Sequence, residues 1–167
     1  MKKYWAILLI AAMLLCFSGC KESEDKQNTV AFYYRNPDFS YDAQCLPLIA
    51  EHRDSASFAT LEETLSAYLS GPLTENCKNP FPAGLKILSI AEDANTLYLS
   101  FSDELAGLTG LELSLACCCI AKTCLELTDA KNIVISAETA LLGGEKTITL
   151  NENNMNLLDS TQQSRDQ

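Results

Sequence analysis

The 167-residue chain has a single histidine, His52, which all but excludes multi-histidine metal sites and weakens any histidine-based catalytic scheme. Basic residues are scarce: 12 Lys and Arg face 22 Asp and Glu, a net charge of -10. A general nucleic-acid binder needs a basic footprint, and none is present. The N-terminal apolar run, Ala6 to Phe17, is 12 residues long, short of the roughly 20 that a membrane-spanning helix needs. No glycine-rich turn with phosphate-binding spacing joins a strand to a helix, and no Gly-x-Ser-x-Gly elbow surrounds Ser100 or Ser102. What remains is a globular composition, 47% apolar and 20% charged, of a length suited to one domain.

Lys2 and Lys3 precede the apolar run, as in a secretory signal, and the run ends in Ser18-Gly19-Cys20. Small residues before a cysteine look like a bacterial lipobox, with cleavage after Gly19 and a diacylglyceryl group on Cys20. Two acyl chains, at about 0.8 kcal/mol per buried methylene, anchor stably where one would not. The competing readings are an uncleaved anchor and an ordinary signal peptide. On the lipoprotein reading, residues 1–19 are the signal peptide. The remaining 148 residues then carry 10 basic and 22 acidic side chains, a net -12. That charge repels anionic head groups, and the polar segment 20–29 reads as a lipidated tether.

Val30 to Tyr34 reads as a strand ended by Asn36-Pro37-Asp38, and Cys45 to Glu51 as an edge strand interrupted by Pro47. Phe58, Leu61, Leu65 and Tyr68 recur at helical spacing within 57–70. Thr60 with Glu63 fits a capping box that would start this helix later, and Gly71-Pro72 stops it. Strands follow at 85–91 and 96–101. A capping box, Thr109 with Glu112, opens a helix to about Thr128. Strands at 133–137 and 146–150 are joined through Gly143-Gly144, and 151–167 is a polar tail. The order implies an α+β fold, a small sheet with two helices packed on one face.

From Val30 to Leu150 these elements resemble the GerMN-domain lipoproteins of sporulation and spore germination. The resemblance rests on Ala31-Phe32-Tyr33-Tyr34, Tyr68-Leu69-Ser70-Gly71-Pro72, the run from Pro82 to Ile90, the run from Leu97 to Leu105, a long helix, and Asn132-Ile133-Val134-Ile135. It implies a domain over 30–150, similar in fold to ring-building modules. It also implies a module of protein–protein assembly in the cell envelope, in sporulation or germination, outside the cytoplasm and held to the membrane through Cys20. Its partners would be an envelope protein or a second copy. It implies no catalytic residue and no cofactor. The alternative is an extracytoplasmic ligand-binding or thiol-redox lipoprotein that uses the cysteine-rich helix.

Apart from Cys16 and Cys20, six cysteines remain: Cys45, Cys77, Cys117, Cys118, Cys119 and Cys124. Their spacing lacks the Cys-x-x-Cys knuckle of zinc sites. Cys117 and Cys124 lie about 10.5 Å apart along a helix axis, beyond the roughly 7 Å reach of a disulfide. Packing thiols, disulfides to Cys45, Cys77 or another chain, and a metal site are the three readings. Leu113, Ala116, Cys117, Ile120, Cys124 and Leu127 share one helix face, and Cys119 falls beside Lys122 and Glu126 on the polar side. Leu111, Leu115, Cys118 and Leu125 lie outside that stripe. They form a candidate partner surface, or a second face covered by the Cys45 segment or the proline loop. His52 reads as a solvated strand end and Asp103-Glu104 as a wet turn. Tyr33, Tyr34, Phe39 and Tyr41 read as sheet packing before a ligand platform.

Acylation at Cys20 predicts that Cys20→Ala abolishes labelling by a fatty-acid analogue in the producing cell. Undiminished label in that variant contradicts the anchor.

Overall fold

The computed structural model describes residues 28–40 and 45–155. The signal peptide, Cys20, most of the tether, Tyr41 and most of the polar tail lie outside the described residues.

The fold is α+β, with the strands in two sheets rather than one. Strands β1 (Thr29–Arg35) and β2 (Leu48–Asp54) form an antiparallel pair. Strands β3 (Ile87–Asp93), β4 (Thr96–Phe101), β5 (Asn132–Ala137) and β6 (Thr147–Leu150) form a second sheet in that spatial order. β4 and β5 run parallel and the other neighbours antiparallel. Helix α1 (Leu61–Leu69) follows the first sheet, and α2 (Gly110–Leu127) makes the crossover from β4 to β5. That crossover follows from geometry, since parallel neighbours cannot be joined by a tight turn.

Several element boundaries differ from the sequence expectation for local reasons. β2 begins only after Pro47, whose carbonyl accepts from Asn36 N at 2.8 Å. α1 starts at the later of its two candidate caps. Thr60 Oγ1 accepts from Glu63 N at 3.2 Å, and Glu63 Oε2 accepts from Ala59 N at 2.9 Å. Thr109 caps α2 by position, but its side chain makes no capping hydrogen bond, and Gly110 takes φ +54°. Gly143 and Gly144 have φ of +59° and +90°, the left-handed pair that a tight hairpin requires.

α2 touches β1 of the first sheet and β5 and β6 of the second. Ten of its 18 residues are buried, too many for a single covered stripe. Cys119 corrects the helical-wheel expectation, for it is fully buried rather than on the polar side. The reason is β1. Tyr33 N donates to Thr123 Oγ1 at 2.9 Å, one turn beyond Cys119. Only the rim of that face is wet, where Tyr33 Oη donates to Glu126 Oε1 and Lys122 Nζ sits 5.2 Å from the Tyr33 ring.

α1 is tied to the first sheet by an aromatic cluster and one buried ion pair. Tyr68 packs against Phe32, Tyr34 and Phe81 with ring centroids 5.0 to 5.2 Å apart. Arg53 Nη2 lies 2.6 Å from Glu51 Oε1, with side chains 10% and 5% exposed. Arg53 also donates to Tyr34 Oη at 2.9 Å and to the Gly71 carbonyl at 2.8 Å, and it lies 4.7 Å from the Phe32 ring centroid. The other Glu51 oxygen accepts from Leu73 N, Thr74 N and Thr74 Oγ1, each at 2.9 Å. Burial raises the Glu51 pKa, but the hydrogen bonds from Arg53 and Thr74 and the Arg53 charge outweigh it and hold the group below its ordinary value.

A carboxyl whose folded pKa is depressed adds stability that is complete above its unfolded value, about 4.3 for Glu. That stability is lost as pH falls through the folded value. Glu51→Gln leaves the Arg53 charge buried without its partner and should cost about 3 kcal/mol or more at pH 7. Urea unfolding of both proteins at pH 7, 5 and 3 should show the gap narrowing in acid. An equal gap at pH 3 contradicts this role.

Candidate functional site

The four-stranded sheet has one apolar face and one open face. Leu97, Leu99 and Phe101 of β4 alternate inward with Ile133, Ile135 and Ala137 of β5, all in the core. The registers put Ser89, Ser100, Ser136 and Thr147 in one row of the opposite face. Ala91, Tyr98, Val134 and Thr149 form the next row. None of these eight is buried, and Tyr98 is 43% exposed, so no described element covers this face. The two rows carry no charged side chain, although a fifth of the chain is charged. Asp93, across from Thr96, is the acid at the end of the face. Sequence alternation marks the wet side of β4, but the uncharged rows exist only once the registers of all four strands are fixed.

The expected partner surface on α2 is not available as such. Leu115 is 1% exposed and Cys118 7%, and Leu111 and Leu125 are half-buried. The proline loop comes over the N-terminal half of the helix, where Pro80, Phe81 and Pro82 line a cleft together with Leu108 and Leu115. The broad apolar girth of α2 therefore serves a core between two sheets.

The six cysteines are free thiols. Cys77, Cys117, Cys118, Cys119 and Cys124 are buried, and Cys45 is half-buried with its thiol 3.4 Å from the Asp38 carbonyl. Burial pushes Cys117 and Cys124 up to about 12 and Cys118 to about 11, and it raises Cys119 as well. Such thiols stay protonated at neutral pH, and the thiolate is the reactive form. Among the described residues, no group of three or more His, Cys, Asp or Glu is placed to hold a metal ion.

The weaker candidates lie apart. His52 is exposed on β2, opposite Ala31. Asp103 lies beyond β4, where its Oδ1 accepts from Thr139 N at 2.9 Å and Thr139 Oγ1 at 3.0 Å, and Glu104 adjoins it. The structure thus places His52 and Asp103 in different sheets' loops and edges. Tyr34 is fully buried and Tyr33 is held by Glu126, so neither forms an open ligand platform. No described helix is long and apolar enough to cross a membrane.

Residues 31–142 match the family model Germane, described as sporulation and spore germination. No curated protein matches the chain. Two solved structures are similar at 16% identity. One holds the tandem GerMN domains of the sporulation protein GerM from Bacillus subtilis, with TM-score 0.47 over 72% of this chain. This chain spans 43% of that one's length. The other is a Clostridium perfringens protein described as a lipoprotein, with TM-score 0.45 over 75% of this chain and 88% of that one.

Burial of the helix thiols has a direct consequence for reactivity. At pH 7.5, a disulfide reagent should modify Cys45 quickly and the five buried cysteines only on denaturation. Rapid native-state modification of Cys118 or Cys119 contradicts the packing.

Proposed function

The chain belongs to the Germane family of sporulation and spore germination proteins, and from that premise we propose that it is a lipid-anchored module of protein assembly in the cell envelope. Cys20 carries the lipid, the polar segment after it is the tether, and the folded domain works outside the cytoplasm. The domain joins to a second copy of itself through the open face of the four-stranded sheet. The observation that carries this reading is the uncharged pair of rows centred on Tyr98 and Val134. Two chains, each of net -12 once residues 1–19 are removed, repel across most of their surfaces. They can approach at low electrostatic cost where neither presents charge, and an exposed tyrosine flanked by small side chains is a good contact residue. No reaction enters this reading. The family description names developmental processes, and the ionisable groups of the chain are spread over separate elements rather than gathered round a nucleophile.

The alternative, a thiol-redox role for the cysteine-rich helix, has less support. Its four cysteines are buried, and redox-active thiols need access and thiolate character.

Tyr98→Asp and Val134→Asp place new charge on an exposed or half-buried position without opening the core. Both variants should keep the thermal transition of the parent and lose its self-association in sedimentation equilibrium. Retained self-association by both variants contradicts the assignment of this face. A strictly monomeric parent that retains an envelope protein partner in crosslinking would replace the second copy by that partner.

A further inference from the structure

Beyond the open sheet face, the cleft by the proline loop poses a separate problem of charge. Arg35, the last residue of β1, pairs with Lys78 in an isolated antiparallel bridge. Arg35 N donates to the Lys78 carbonyl at 3.1 Å and Lys78 N to the Arg35 carbonyl at 2.9 Å. Residues directly opposite in such a bridge carry their side chains on the same face. Two cationic side chains therefore leave the backbone on one face at directly opposite positions, a pairing of like charges that is destabilising. Among the described residues the ion pair is Arg53 with Glu51, and neither Arg35 nor Lys78 enters one. Arg35 Nε is shielded from solvent and has no hydrogen-bond partner among the described residues. An unmatched donor on a charged group is costly, and native structures rarely leave one.

Both cations line a cleft of about 190 Å³. Its other walls are the polar Asn79 and the apolar Phe81, Pro82 and Leu108, with Glu112 as the acid among the lining residues. Two cations and one carboxylate leave one positive charge, which a monoanion neutralises and a phosphate dianion exceeds. The planar guanidinium fork matches a carboxylate, and the apolar walls suit a ring or branched chain next to it. The volume is below that of a whole drug-sized site and fits a single small group.

We propose that the Arg35–Lys78 cleft binds a monocarboxylate carried next to an apolar group. The carboxylate lies between the two cations, with the Arg35 side chain turned so that its Nε–H, shielded in the unbound protein, reaches the carboxylate, and the apolar body rests against Pro82 and Leu108. Both a free aromatic or aliphatic acid and the C-terminus of a peptide ending in such a residue present this chemistry. The site is independent of the sheet face and of self-association.

The test is a titration of the full chain in neutral detergent, followed by the NMR signal of the Arg35 Nε–H group. That signal is assigned by its loss in Arg35→Lys. The probes are benzoate, benzamide, inorganic phosphate, and the peptide Gly-Gly-Phe with a free or amidated C-terminus, all at matched ionic strength. Benzoate should shift the signal saturably, and benzamide, phosphate and the amidated peptide should not. Lys78→Gln, at an exposed position, should fold with an unchanged or raised Tm and weaken benzoate roughly 5-fold. Tighter binding of the free-acid peptide than of benzoate identifies a peptide terminus as the ligand, and the reverse order a free acid. Absence of a saturable shift with either acid overturns the proposal, as does equal affinity in Lys78→Gln.

Discussion

A strand edge that is buried must find partners for its N–H and C=O groups without a neighbouring strand. The outer edge of β1 meets this constraint at Tyr33. Its N–H goes to Thr123 Oγ1 of α2, and its carbonyl accepts from Tyr68 Oη of α1 at 2.6 Å. Two side chains from two helices thus replace the missing strand, and two residues further on the Lys78 backbone continues the pairing at Arg35. This is where the two-stranded sheet, α1 and α2 lock together. The Arg53–Glu51 pair completes the joint from the other side, holding the chain that leaves α1 at Gly71, Leu73 and Thr74.

Once β1 lies against α2, the rest of the architecture follows. α2 must be apolar on one side for β5 and β6 and on another for β1. Cysteine, alanine and threonine suit the second contact because they are small and let a strand backbone come close. The triple cysteine Cys117-Cys118-Cys119 is then a packing solution in a helix with sheet on two sides. The two helices and the two-stranded sheet all lie on the inner side of the four-stranded sheet or beyond it. Its outer side, with Tyr98 and Val134, is left open, and it is the surface on which the proposed assembly rests.

The α+β class was legible in the sequence because its periodicities are clean. β4 alternates residue by residue over its full length, and Gly71-Pro72 and Gly143-Gly144 stand at the turns that their composition predicts. The division into two sheets was not legible, because strand order depends on long-range pairing that no local pattern encodes. Cys119 shows the cost: a helical wheel sets it beside Lys122 and Glu126, and only the arrival of β1 buries it. Leu115 shows the converse, an apolar residue off the main stripe that the proline loop covers. The Glu51–Arg53 pair gave a weak signal, alternate residues on one face of a strand, but its partners at Gly71 and Thr74 lie about 20 positions away. The bridge between Arg35 and Lys78 had no sequence signal.

The central claim is that the open sheet face is the assembly surface. The most direct measurement is amide hydrogen exchange on the full chain at low and high protein concentration. Added protection at high concentration should be confined to β3–β6 peptides, strongest around Tyr98 and Val134. Protection that instead gathers on α2 peptides around Leu111 and Leu125, or no change with concentration, would contradict it.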